Sequence, residues 1–99
     1  MGVDSFHTRA EGPTLQAAFN RARDDAAREH GTSPYAGTVY SKTEVELFDE
    51  PPLPEREASL RAGELMRLHG YDTASPAGAL PLTTGGSAPA WLLFGRVVI

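Results

Sequence analysis

The stretch Trp91–Ile99 reads WLLFGRVVI and is a near-continuous apolar run. A strand with one face in water alternates apolar and polar residues, and this run does not. It therefore predicts a β-strand that is covered on both faces by the rest of the fold, or on one face by a partner.

A helix is predicted over Thr14–His30, because apolar residues recur there at helical spacing. Thr14 is a favourable N-cap, since its hydroxyl can accept a free backbone N–H of the first turn. Gly31 is the expected C-cap, and basic residues precede it in the last turn. The apolar stripe consists of Leu15, Ala18, Phe19, Ala22 and Ala26.

Three further elements are predicted around this helix. Val3–Ala10 is typical of a short opening strand. Thr38–Phe48 alternates as a half-buried strand, or as a strand that bends near Lys42. A second helix is expected to have Pro54 in its first turn, where the missing N–H of proline costs nothing. This helix is expected to end at Gly70. Its apolar stripe consists of Ala58, Ala62, Leu65, Met66 and His69.

Residues 72–90 are rich in Ala, Gly, Pro, Ser and Thr. A long loop without structure is uncommon inside a small domain. The segment is therefore predicted to be a flexible flap, or to contain a short edge strand at Ala79–Thr83, where Pro81 would fit. Residues 1–99 are expected to form one domain, because the chain is too short for a second core.

These elements give the order β-α-β-α-(β)-β. The predicted fold class is α+β, as a small two-layer sandwich with two helices on one face of a three- or four-stranded sheet. A split-βαβ arrangement is one candidate topology.

Composition excludes several classes of function. The chain has no Cys, which excludes disulfide scaffolds, thiolate zinc sites and thiol catalysis. Its formal net charge of −4 makes nucleic acid an unexpected partner, because such proteins need a basic face. No run is apolar or long enough to span a membrane, and no signal peptide is evident, so a cytoplasmic location is expected.

Catalytic and cofactor motifs are also not evident. His7, His30 and His69 do not have the spacing of metal ligands, so neither a metal nor another cofactor is predicted. The glycine-rich residues 84–87 lack the Gly-Lys-Ser/Thr ending of a phosphate loop. An enzyme would require residues from separate elements, such as His7, His30 and Glu44, to meet in one cleft.

The segment Ala27–Lys42 is the most informative for function. It joins a capped helix to a strand and concentrates hydrogen-bonding side chains. One interpretation is a ligand or partner site, and the other is a structured connection in which Tyr35 packs at the edge of the core. The candidate site residues are Arg28, His30, Tyr35, Gly37, Thr38, Tyr40 and Lys42.

This region also carries a resemblance. A helix with Phe and spaced Ala, followed by His-Gly, Pro-Tyr, Gly-Thr and Lys, resembles small uncharacterised proteins of actinobacterial phages and their hosts. The resemblance covers Thr14–Lys42, and Trp91, Phe94 and Gly95 extend it weakly to the end of the chain. It implies a short accessory protein, phage-encoded in some members, and supplies no catalytic residues.

The predicted function is that of a non-catalytic accessory protein which binds and modulates a host protein. One alternative is a protein that binds or sequesters a nucleotide-like small ligand in phage–host conflict, where Tyr35 or Tyr40 stacks on the base while Arg28 and Lys42 meet phosphate. Another alternative is a structural protein of the virion. A homodimer is a further assembly that the sequence allows.

Overall fold

The computed structural model of the protein describes residues 2–32, 38–86 and 88–98. They form two helices and a four-stranded mixed sheet, which confirms the α+β class and the predicted order of elements. The elements are β1 Val3–Glu11, α1 Leu15–His30, β2 Val45–Leu47, α2 Glu55–Leu68, β3 Ala77–Pro81 and β4 Ala90–Val98, with a 3-10 turn at Val39–Ser41.

The apolar β4 lies inside the sheet. The strand order is β1-β4-β3-β2, with β4 antiparallel to both of its neighbours and β2 parallel to β3. The register pairs Val3 with Val98 and Glu11 with Ala90, so β1 and β4 pair along their whole length. The helix α2 connects two adjacent parallel strands, whereas both helical connections of a ferredoxin-like sheet are split by another strand.

The helices lie on opposite faces of the sheet, which differs from the predicted two-layer sandwich. Leu93 and Val97 of β4 belong to a cluster with Phe19 of α1. Leu92 and Phe94, at the alternate positions, belong to a cluster with α2. The physical reason is that both faces of β4 are apolar, so each face needs its own helical cover.

Residues 77–81 form a strand that overlaps the one predicted at Ala79–Thr83, but its predicted position at the edge of the sheet was wrong, because β3 lies between β4 and β2. Ala77, Gly78 and Ala79 are buried between β4 and β2. Their small side chains leave room for the large residues of β4, so a segment without bulky apolar residues still belongs to the core. Pro81 ends β3, and its carbonyl accepts the Leu53 N–H at 3.3 Å.

The predicted strand Thr38–Phe48 is mostly not a strand. The Thr38 hydroxyl accepts the Tyr40 N–H at 3.3 Å and caps the 3-10 turn, and only Val45–Leu47 pairs with β3. The bend that the sequence suggested near Lys42 therefore replaces the first half of the predicted strand. Phe48 follows β2, with its N–H donating to the Ala79 carbonyl at 2.9 Å.

The first helix follows its sequence signals closely. The Thr14 hydroxyl accepts the Ala17 N–H at 3.1 Å, which confirms the predicted N-cap. Gly31, with a φ of 87°, donates its N–H to the Ala27 carbonyl at the other end. Only three residues, 12–14, separate β1 from α1, so the helix runs back along β1 in the opposite direction.

The buried Gly78 provides a test of this packing. A Cβ at Gly78 would overlap the ring of Phe94, whereas a Cβ at Gly63 in α2 would meet open space. We expect Gly78→Ala to lower the free energy of unfolding by about 1–3 kcal/mol through overpacking. Gly63→Ala, the matched control, should raise it by about 1 kcal/mol, because Ala is the better helix former. Chemical denaturation measures both, and equal effects at the two positions would contradict this packing.

Candidate functional site

A groove between β1 and α1 has a volume of about 590 Å³. This volume lies within the range of ligand-binding pockets. Small and apolar side chains form its floor, namely Phe6, Ala22, Ala26 and Val39. Polar side chains also line it, among them Thr8, Asp25, Glu29, His30 and Thr38.

A second hollow of about 290 Å³ continues the groove toward the start of α1. It shares Arg9, Ala22 and Asp25 with the first, and it adds Ala18 and Arg21. The two hollows together follow β1 from Phe6 to Glu11 and α1 from His30 back to Ala18. The site is therefore elongated, with Glu29 near one end and Arg21 near the other. We call it the β1–α1 groove.

The sequence of α1 explains why a groove forms here. Ala18, Ala22 and Ala26 follow one another at i, i+4 spacing, so they lie in a row on one helix face. Side chains of this size do not fill the space beside β1. Asp25 and Glu29 form a second i, i+4 row next to the alanines, which places carboxylates along the groove.

Most of the charges along the groove have opposite charges nearby. Arg9 forms ion pairs with Glu11 and with Glu55 of α2, the latter at 3.6 Å. Arg28 pairs with Asp25 within α1. Burial lowers the pKa of His7 below its usual value of 6.5, which favours the neutral imidazole at pH 7.

Two of the candidate residues predicted from the sequence line this groove. They are His30 and Thr38. Arg28 is exposed beside it and reaches the groove only through its ion pair with Asp25. Tyr35 and Gly37 lie outside the described residues.

Tyr40 belongs to a packing contact between the 3-10 turn and α1. Arg23 donates from Nε and Nη2 to the Tyr40 carbonyl, at 3.2 and 3.0 Å. Its guanidinium also lies over the Tyr40 ring, 5.1 Å from the ring centre, and over Phe19 at 5.9 Å. The cation that covers this aromatic ring therefore comes from the chain itself.

Lys42 is buried, with 4% of its surface exposed, and stabilises the turn that contains Thr73 and Ser75. Its Nζ donates to the carbonyls of Thr73 and Ser75, at 3.1 and 2.7 Å. Burial lowers the pKa of Lys42, and the nearby Asp72 carboxylate opposes this effect. The amine therefore holds the turn that precedes β3.

The described residues of the predicted segment thus lie in three separate places rather than in one site. These places are the groove, the Arg23 contact and the turn held by Lys42. Sequence reasoning missed Phe6, Thr8, Ala22, Asp25 and Glu29 as site residues. A signal for them existed in the short connection between β1 and α1, which makes the two elements neighbours. The alanine stripe was interpreted only as core.

The residues considered for catalysis do not all meet. His7 and His30 line the β1–α1 groove, whereas Glu44 lines a separate cavity of about 100 Å³ beside Lys42. Within residues 2–32, 38–86 and 88–98, no three His, Asp or Glu side chains cluster as metal ligands would. Neither of the two helices described there has the length and apolar character to cross a membrane.

A fourth polar feature lies on the α2 face. The Tyr71 hydroxyl donates to Glu46 Oε1 at 2.7 Å, and the Tyr71 ring stacks on Phe94 with 6.1 Å between ring centres. The pKa of Tyr71 is well above its usual value of 10. Burial is the larger cause of this rise, and the Glu46 carboxylate is the smaller one. The pair connects β2 to the start of the turn before β3.

Replacing Lys42 tests its role in the fold. Lys42→Met would remove the donor to the Thr73 and Ser75 carbonyls while keeping an unbranched apolar stem. We expect the free energy of unfolding to fall by about 1–3 kcal/mol, the usual contribution of hydrogen bonds from a charged group, here to partly buried carbonyls. Arg56→Met on the exposed side of α2 is the control and should change it by less than about 0.5 kcal/mol. Equal stability of Lys42→Met and the wild type in denaturant titration would contradict the assignment.

The Tyr71–Glu46 hydrogen bond predicts a dependence of stability on pH. Because the folded state raises the pKa of Tyr71, its stabilising effect is complete below pH 10, the usual pKa, and is lost as the pH rises further. Tyr71→Phe should cost about 1–2 kcal/mol at neutral pH. The difference between wild type and variant should then shrink above about pH 10. Urea titrations at neutral and high pH measure it, and a constant difference would show that Tyr71 does not titrate as described.

No protein-family model matches the chain, and no curated protein or solved structure matches it either.

Proposed function

We propose that the protein is a non-catalytic accessory protein that binds and modulates a host protein through the β1–α1 groove. The observation that carries this proposal is the groove itself, which has an apolar floor, a polar rim and a volume of about 590 Å³. An apolar centre with a polar rim is the usual anatomy of a protein-binding surface.

The shape of the groove favours a protein partner. It is open to solvent and follows the strand and the helix over several residues, which suits an extended segment of a polypeptide. Glu29 lies near one end and Arg21 near the other, and charges separated in this way favour one orientation of the segment. The resemblance of Thr14–Lys42 to phage and host proteins supports a host partner in the cytoplasm.

The nucleotide-binding alternative has less support from the geometry. Lys42, which that alternative assigns to phosphate, donates to two backbone carbonyls in the fold. Tyr40, which it assigns to a base, is covered by Arg23. Both side chains already serve the packing of the chain.

A pair of neighbouring substitutions tests the proposal. Ala26 lines the groove, and Ala27, the next residue, does not, although both are half-buried on α1. We expect host proteins captured by the wild-type chain and by Ala27→Arg to be lost with Ala26→Arg, which places a long charged side chain in the groove. Circular dichroism and the melting temperature of both variants control for folding. Capture that survives Ala26→Arg unchanged would refute the groove as the binding site.

A further inference from the structure

The outer edge of β1 is the long open edge of the sheet. The strand has nine residues and, among the described residues, pairs with β4 alone, whereas the opposite edge strand, β2, has three. Natural proteins keep edge strands short or covered, because unpaired backbone groups recruit another strand. The short edge follows this rule, whereas in the described part of the chain the long edge is protected only by charged side chains, those of Asp4, Arg9 and Glu11.

The hydrogen-bonding register shows which residues of β1 have backbone N–H and C=O groups that point away from β4. Gly12 donates its N–H to the Pro89 carbonyl at 3.2 Å, and the same register pairs Ala10 with Trp91. Backbone groups of an antiparallel strand point alternately to either side. The backbone groups of the even-numbered residues of β1 therefore bond to β4, and those of the odd-numbered residues point to the open edge. The outward residues are Val3, Ser5, His7, Arg9 and Glu11.

Only one of these outward N–H groups has a partner within the described part of the chain. The Ser5 N–H donates to the Asp4 carboxylate at 2.8 Å. The side chain of Asp4 thus protects one position of the edge. The N–H groups of His7, Arg9 and Glu11 extend along the β1–α1 groove.

We propose that a second copy of this chain pairs its β1 with this edge and forms a homodimer with a continuous eight-stranded sheet. Outward residues must face outward residues, so the twofold axis of an antiparallel pair passes midway between one residue and the same residue of the second copy. An axis at His7 is the one that pairs all nine residues. It places His7 opposite His7 of the second copy and Ser5 opposite Arg9.

The position of α1 fits this dimer. The helix packs on Phe6 and Ala10 of β1 and on Leu93 and Val97 of β4, so it lies over both strands. Neighbouring strands are about 4.8 Å apart, and the axis lies half this distance beyond β1. The two α1 helices would then be about 10 Å apart, the ordinary distance for packed helices.

The charges along α1 are complementary in the same arrangement. The helices run antiparallel across the axis, because α1 runs opposite to β1. Arg21 of one copy then lies toward Glu29 of the other. Asp25 lies near the axis, and its ion pair with Arg28 offsets the approach of the two carboxylates. A second copy therefore complements this surface in backbone, shape and charge.

This inference goes beyond the proposed function and does not require it. If both hold, a host segment and the second copy compete for one groove. The dimer is tested on the protein alone, without any host component, so its failure would leave the proposed function standing. The reverse also applies, since a dimer that captures no host protein would refute only the proposed function.

Sedimentation velocity of the full chain is the first measurement. We expect the mass to rise from monomer to dimer with concentration. Arg9→Pro removes one outward N–H and none of the bonds to β4, and it should shift the protein to monomer. Arg9→Ala keeps that N–H and should remain dimeric. Asp4→Ala frees the Ser5 N–H and should strengthen the dimer. A monomer at every concentration would overturn the proposal, as would an Arg9→Pro variant that dimerises like the wild type.

A single cysteine tests the register. The chain has no Cys, so His7→Cys introduces the only thiol, and paired strands hold opposite Cα atoms at a distance that a disulfide spans. Mild oxidation should convert this variant to a covalent dimer. Leu47→Cys, exposed on the other edge strand, is the control and should form no covalent dimer under the same oxidation. Equal cross-linking of the two variants, or none at His7→Cys, would contradict pairing about His7.

Discussion

The burial of β4 on both faces is the constraint on which the rest of the structure depends. Leu92, Leu93 and Phe94 are consecutive, and each is almost fully buried. Since consecutive side chains of a strand point to opposite faces, no single layer can cover them. One helix must lie on each side, and β1 and β3 must satisfy the backbone along each edge. The position of every other element follows from this requirement.

Small residues make this arrangement possible and also create the candidate site. Gly78 on β3 leaves room for the ring of Phe94 on the α2 face. On the other face, α1 presents alanines toward β1, so the helix covers the core without filling the space at the edge of the sheet. The small side chains that allow a four-stranded sheet to form within 99 residues also leave the β1–α1 groove open.

Local signals predicted the local structure well. Thr14 and Gly31 fixed both ends of α1, since their capping roles depend only on neighbouring residues. Non-local features were missed. Ala77–Pro81 has the composition of a loop, and only the large residues of the neighbouring strand make it core. The side on which each helix packs depends on pairing between distant segments, which alternation within one segment does not encode.

The candidate site was predicted in part for the same reason. His30 and Thr38 could be found from the end of α1, because that end concentrates polar groups. Lys42 looked like a free cation in the sequence, but its partners are carbonyls about thirty residues away, at Thr73 and Ser75. The groove residues that β1 contributes could be predicted only from the adjacency of the strand and the helix, because no sequence motif marks them.

Amide hydrogen exchange along β1 tests the central claim, that its outward edge is a binding surface. Phe6, Thr8 and Ala10 face β4, so their amides should be protected at every protein concentration. The amides of His7 and Arg9 face outward, and they should be protected in concentrated solution and lose this protection on dilution. Outward amides that exchange equally fast at all concentrations, or a β1 that is protected uniformly, would contradict the account.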